Sequence, residues 1–208
     1  MKGLVLKDLY NLRKYGKTIL LISAFYVMLT FMMENATMFA GMIVVMFAIT
    51  SVTSFAYDSQ SGWETYVLSI PVSRKDVVLS KYVLALLLAV AGSLLAMLVG
   101  WLNGIIKNTS NFSEVLITSY MLFAVAVVFL SILLPLVYKF GVERSRVIIL
   151  AVFAIPIAAG FVLGQTGTVP EINEQTINRI LLLSPLAIVV CSIVSFMTSH
   201  AIYRKQEV

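Results

Sequence analysis

The sequence has one cysteine, one histidine and little charge, Asp, Glu, Lys and Arg together making up only 12% of its 208 residues. Each scarcity excludes something. Cys191 has no second thiol in the chain, so an intrachain disulfide, a dithiol redox pair and a cysteine-based structural metal site are all ruled out. His200 has no second histidine, which removes the HExxH metal arrangement, and its place at the end of the last apolar run removes a Ser-His pair buried in a bilayer. No ionisable residue stands in the middle of any long apolar run. Proton- and ion-coupled carriers keep such groups there, because one costs about 2.5–3.5 kcal/mol at a helix centre and persists only when it has a task. Gly16-Lys17-Thr18 looks like the end of a phosphate loop, but the position five residues earlier is Asn11 instead of glycine, and no strand leads in. The chain is therefore read as a non-enzyme, with no catalytic, metal or cofactor-binding residues of its own.

What is present in excess is apolar. The hydrophobic share is 60% and the mean hydropathy +0.98, well outside the roughly 45–50% apolar share of soluble domains, so the chain is expected in a membrane. Six apolar runs follow one another: Thr18–Met33, Ala36–Tyr57, Tyr82–Ile106, Val115–Tyr138, Val147–Gly164 and Ile180–Ile202. Each approaches the roughly 20 residues needed for a helical span, and none alternates as barrel strands do. The fold class is all-α, a polytopic membrane protein of six transmembrane helices in one domain, residues 1–208. Pro135, Pro156 and Pro185 lie in or near spans, where neighbouring helices can satisfy the freed carbonyls. The first run, short and preceded by lysines, resembles a signal peptide, but five further spans and the lack of a clear small-residue cleavage site favour an uncleaved span. Residues 1–17 have Val5, Leu9 and Leu12 on one helical side and Lys7, Asn11 and Lys14 on another, the pattern of an amphipathic helix lying in the membrane plane; the alternative is a disordered basic tail.

Basic residues set the orientation, since they are retained on the cytoplasmic side. With the N-terminus inside, the inner segments hold Lys2, Lys7, Arg13, Lys14 and Lys17, then Arg74, Lys75 and Lys81, then Lys139, Arg144 and Arg146, then Arg204 and Lys205, leaving Lys107 and Arg179 outside. Both termini and the segment 58–81 are thus expected in the cytoplasm. The net charge of +5 then describes orientation and not an affinity for nucleic acid. Small residues recur along the third span, Ala85, Ala89 and Ser93, then Ala96, Gly100 and Gly104, a seam for close approach of another helix.

The segment Asp58–Lys81, DSQSGWETYVLSIPVSRKDVVLSK, is polar and amphipathic between two apolar runs. Trp63, Tyr66, Val67 and Ile70 fall at i, i+3, i+4 and i+7, one apolar stripe about two turns long, with Glu64, Thr65 and Ser69 pointing elsewhere. Pro71 ends that helix, and Ser73-Arg74-Lys75-Asp76 has the spacing of a helix start, so a new helix runs from about Arg74 into the third span. On pattern alone the stripe fits either a partner's groove or the headgroup layer, with Trp63 and Tyr66 at the interface.

The phrase FAYDSQSGWETYVLSIPVSRKDVVLSKY, Phe55 to Tyr82, resembles the segment after the second span in small permease subunits of type-two ABC exporters, through Asp58, Gly62-Trp63, Leu68-Ser69, Pro71-Val72-Ser73-Arg74-Lys75 and Ser80-Lys81-Tyr82. Length, span number and the MKGLVLKDLY opening agree with the same family. Bacterial relatives of this kind export peptides or confer resistance to peptide antibiotics, the exporter of phenol-soluble modulins among them. The resemblance implies a transmembrane subunit in the bacterial cytoplasmic membrane that moves an amphipathic or hydrophobic substrate outward by alternating access. ATP and Mg would be bound by separate ABC ATPase subunits, and a second permease chain, identical or related, would complete the pump. It also implies that 58–81 is a coupling helix docking on the ATPase, with Asp58, Gly62, Trp63, Glu64, Tyr66, Val67, Ile70, Pro71, Ser73 and Arg74 as its coupling residues. A membrane adaptor or immunity subunit that binds a partner without transporting is the competing reading.

Overall fold

The computed structural model describes residues 2–32, 36–67, 69, 71–108, 111–165 and 174–205. The regular structure among these residues is helical: α1 Lys2–Arg13, α2 Gly16–Met32, α3 Ala36–Ser61, α4 Trp63–Val67, α5 Arg74–Ile106, α6 Phe112–Gln165 and α7 Glu174–Lys205. Four stretches are long and apolar enough to cross a bilayer: Thr37–Ser61, Arg74–Ile106, Phe112–Ser145 and Leu181–Lys205. A fifth crossing arises only if α1 and α2, bent by 68° relative to each other, are taken as one broken span. Alone, α2 has 17 residues, about 25 Å at 1.5 Å per residue, which is short of a hydrocarbon core of about 30 Å. The fifth expected run, Val147–Gly164, is helical within α6.

The helices extend beyond the apolar runs that announced them. α3 continues to Ser61 and α5 begins at Arg74, so the polar segment read as 58–81 narrows to the twelve positions between them. Hydropathy marks the depth of a residue in the membrane, whereas a helix ends only where its backbone bonding is interrupted or capped. The start of α5 shows such a cap: Ser73 is extended, with φ −72° and ψ 144°, its Oγ accepts from the Asp76 N–H at 3.1 Å, and the same hydroxyl donates to the Asp76 carboxylate at 2.8 Å. Ser73 thus caps α5 where the Ser-x-x-Asp spacing predicts a helix start, with a hydroxyl–carboxylate bond beside the cap. Likewise the polar stretch 139–146 is no open loop. α6 runs through it, broken only where Gly141 takes φ 77° and ψ 174°, a left-handed φ that suits glycine.

At the centre α3 lies against α5. From α3, Ile43, Val44, Ala48, Ser51 and Ser54 are buried, and from α5, Leu84, Ala85, Ala89 and Ala96. Lipid is as apolar as leucine, so this contact is favoured by close fit and not by apolar burial. Gly92 sets the closest approach: a Cβ there would stand 2.9 Å from the Phe47 Cβ and 3.2 Å from the Val44 Cα. The first half of the small-residue seam is thus a packing seam within one chain. α6 adds Ala126, Leu133 and Leu134 to the same core. α7 is fastened by hydroxyls, the Tyr82 OH lying 2.6 Å from Ser195 Oγ and 2.8 Å from Ser199 Oγ, and the Tyr120 OH 2.7 Å from Ser184 Oγ.

Gly92→Val is expected to lower the stability of the purified protein by about 1–3 kcal/mol, as overpacking does. Gly100→Ala, whose Cβ would meet Val115 at an ordinary 3.5 Å, is expected to leave the unfolding midpoint in detergent within a degree or two. Equal shifts for both would show that α3 and α5 do not pack as described.

Candidate functional site

Four charges meet where α1, α3 and α5 come together. Lys7 and Asp8 come from α1, Asp58 from the last turn of α3, and Lys81 from two turns inside α5. Asp8, Asp58 and Lys81 are only 1%, 5% and 4% exposed. Lys81 Nζ lies 2.5 Å from Asp58 Oδ2, 3.0 Å from Asp8 Oδ1 and 2.5 Å from Ser54 Oγ, so the three donors of its ammonium have three acceptors. Lys7 Nζ bridges the same two carboxylates, 2.6 Å from Asp58 Oδ1 and 3.1 Å from Asp8 Oδ1. The four side chains form a closed ring of alternating sign with no net charge. Such a ring repays the desolvation of its members only while complete.

The ring continues into the connection between α3 and α5. Lys7 Nζ sits 4.1 Å from the centre of the Trp63 ring, a cation–π arrangement worth about 0.5–2 kcal/mol depending on desolvation. Lys81 Nζ lies 4.9 Å from the ring of Phe55. Gly62, with φ 66°, allows the sharp exit from α3 that brings Trp63 back over Lys7. A side chain with a Cβ is strained there.

The structure divides the residues that the sequence grouped as one stripe. Val67 is 2% exposed and belongs to the buried core, and Trp63 is half-buried against that core, whereas Tyr66 is 60% exposed with its ring 5.5 Å from that of Trp63. The apolar side of α4 therefore faces its own chain, and Tyr66 stands outside. Helix α4 is described over five residues, Trp63–Val67, and Leu68, in the second expected turn, lies outside the described residues. Glu64 lies on α4, with its side chain outside the described residues, as is Ile70 altogether. Pro71 and Ser73 are exposed. Arg74 points back to the last helix, donating to the carbonyl oxygens of Arg204 at 2.7 Å and Tyr203 at 3.4 Å. A cation on the unsatisfied carbonyls of a helix C-terminus is favourable, so Arg74 ties α5 to α7. Asp58, expected to meet the partner, is spent inside the ring.

Helix α1 also turns its faces differently from the reading of its sequence. Lys7, Asp8 and Leu12 face the bundle, with Leu4 against the core, while Leu6, Leu9 and Tyr10 are exposed. The polar side of α1 is consumed by the ring. Two of the lysines used to assign orientation, Lys7 and Lys81, thus carry structural partners as well. Opposite charges at the ends of three separate apolar segments were a visible signal, but one sequence does not say which charge meets which.

Removing one member leaves buried charge unpaired, so Lys81→Met and Asp58→Leu are each expected to destabilise the protein by about 3–5 kcal/mol. The exchanged pair Asp58→Lys with Lys81→Asp should recover part of that loss. Thermal unfolding of the single and double variants checks the coupling; additive losses would show that the two residues do not interact.

The comparisons with known proteins bear on what such a bundle is for. No curated protein and no solved structure matches the chain. Residues 3–204 match the family described as ABC-2 family transporter protein, a match that takes in all four membrane-crossing helices and the whole charge ring. The family implies partnership with ABC ATPase subunits, which accords with a transport component that is not itself catalytic. The chain belongs to the ABC-2 transporter family, as a multi-pass membrane permease.

Proposed function

We propose that this permease is the membrane half of an ATP-driven exporter in a bacterial cytoplasmic membrane, with both termini in the cytoplasm. In this reading α1 lies in the plane of the inner leaflet, its exposed Leu6, Leu9 and Tyr10 in the acyl boundary, and six crossings include α2 and the second part of α6. Residues 62–73, with the flanking turns, are the coupling segment that docks on an ABC ATPase, and two permease chains, identical or related, serve two ATPases in a two-fold arrangement. The cargo is an amphipathic or hydrophobic substrate, a peptide above all. An apolar groove of about 360 Å³ between α5, α6 and α7, lined by Leu79, Tyr82, Leu130 and Phe196 among others, suits an apolar cargo surface.

The observation that carries this reading is the ring beneath α4. A coupling element must transmit a push from its outer surface to the spanning helices, which requires a stiff seat. Trp63 on Lys7, and Lys7 on Asp58 and Asp8, supply that seat, and the same charges hold the ends of α3 and α5. The roles of the two aromatic residues then separate. Tyr66, exposed, contacts the ATPase; Trp63, turned inward, transmits.

Co-purification with the ATPase, together with ATP hydrolysis and peptide movement in proteoliposomes, tests this division. Tyr66→Ala is expected to weaken recruitment by about tenfold or more, the loss typical of an aromatic anchor. Trp63→Ala should leave recruitment largely intact while reducing ATP-driven export. Full export with Trp63→Ala and Tyr66→Ala together would remove α4 from coupling, and recruitment of an ATPase with no ATP-dependent movement of any peptide would favour the non-transporting adaptor.

A further inference from the structure

Past its packed part, the small-residue seam borders open space. Ala96, Gly100 and Gly104 line a cavity of about 310 Å³ between α3, α5 and α6, at the lower end of the size range of small-molecule sites. Asn103 stands 22 residues after Lys81 on the same helix, about 33 Å along its axis at 1.5 Å per residue. The cavity is therefore at the face of the membrane opposite the charge ring. Gly100 and Gly104 leave the α5 side of this space without side chains, with Val115 of α6 facing Gly100 across it.

Asn103 also lines this cavity, is 7% exposed, and its Oδ1 has no hydrogen-bond partner among the described residues. A buried amide oxygen without a donor is costly and is ordinarily satisfied. Ser119, buried, and Thr118 add hydroxyls to the same wall, and Glu114 and Lys107 stand among the lining residues. The wall offers an unmet acceptor between hydroxyls that both give and take. We propose that this cavity binds a group donating N–H hydrogen bonds, a primary ammonium above all, with Asn103 Oδ1 as its principal acceptor. Two sources carry that chemistry: the amine headgroup of a lipid in the adjoining leaflet, and the amine of a soluble small molecule or peptide. The proposal stands apart from the coupling reading, since the site is at the other end of α5 and shares no residue with the ring.

The test uses the full chain in phosphatidylglycerol nanodiscs, where both faces are accessible, with Cys191→Ser and Gly104→Cys. The rate of maleimide labelling at position 104 is the readout, and glycinamide and its N,N,N-trimethyl analogue are the probes. Glycinamide is expected to slow labelling at least threefold and the trimethyl analogue, which lacks ammonium donors, to leave it unchanged. Asn103→Leu should abolish the protection, and Asn103→Asp, which keeps the acceptor and adds charge, should strengthen it. If lipid amine is the source, discs containing phosphatidylethanolamine will show the slowing without any addition, and glycinamide will add nothing to it. Equal protection in the Asn103→Leu variant, or no protection from either source, overturns the proposal. So does a fall in the unfolding midpoint of Asn103→Leu, which would assign the amide to the fold; a midpoint at or above that of the parent supports an amide kept for a ligand.

Discussion

The charges of Asp8, Asp58 and Lys81 are out of water where three helices converge, with Lys7 a quarter exposed at their edge, and the buried ions are tolerable there only together. That mutual dependence fixes more than a contact. Because Asp58 pairs with Lys7 of α1 and Lys81 of α5, and Lys81 pairs with Asp8 of α1 and Asp58 of α3, the ring sets the relative height of α1, α3 and α5 as well as their spacing. Apolar contact in a bilayer cannot do this, since sliding one leucine-faced helix past another in lipid changes little. The tight approach at Gly92 gives the pair α3 and α5 its separation, and the ring gives it its register.

From that register the connection between the two helices follows. α3 ends where Asp58 is held, Gly62 turns the chain, and α5 begins at the Ser73 cap, so the intervening residues have little freedom in where they lie. Trp63 and Val67 turn inward because the exit from α3 aims them at Lys7 and the core. A protruding segment with a rigid root is suited to carrying force in either direction, which is what the proposed coupling requires of it.

Much of this was legible in the residues. The apolar runs gave the helical class and six expected crossings, of which four are long and apolar enough among the described residues, Ser73 and Asp76 gave the start of α5, and the phrase around Gly62-Trp63 gave the family. Other features were not. Periodicity assigns residues to the sides of a helix but not the side to its surroundings, and for both α1 and α4 the outward face differs from the one the pattern suggested. In α1 the polar face turned inward because its charges had buried partners 50 and more residues away, a pairing that lies in three dimensions only. Arg74 was read as a residue for a partner because its carbonyl acceptors belong to the far end of the chain. The small-residue spacing in α5 announced closeness, and its far end also borders a cavity, since the spacing is the same whether a neighbour fills the gap or leaves it.

The position of the ring in the chain also orders its making. All four charges are present once residue 81 has emerged, so the ring can close as soon as α5 enters the membrane, while α6 and α7 are still to be synthesised. Buried ions that would otherwise burden an inserting helix are neutralised early, by partners that precede them. Arg74, in contrast, waits for Tyr203 and Arg204, nearly the last residues of α7. The charged end of the molecule is thus assembled in two closures separated by more than a hundred residues of translation, the first joining three helices and the second locking the final helix onto them.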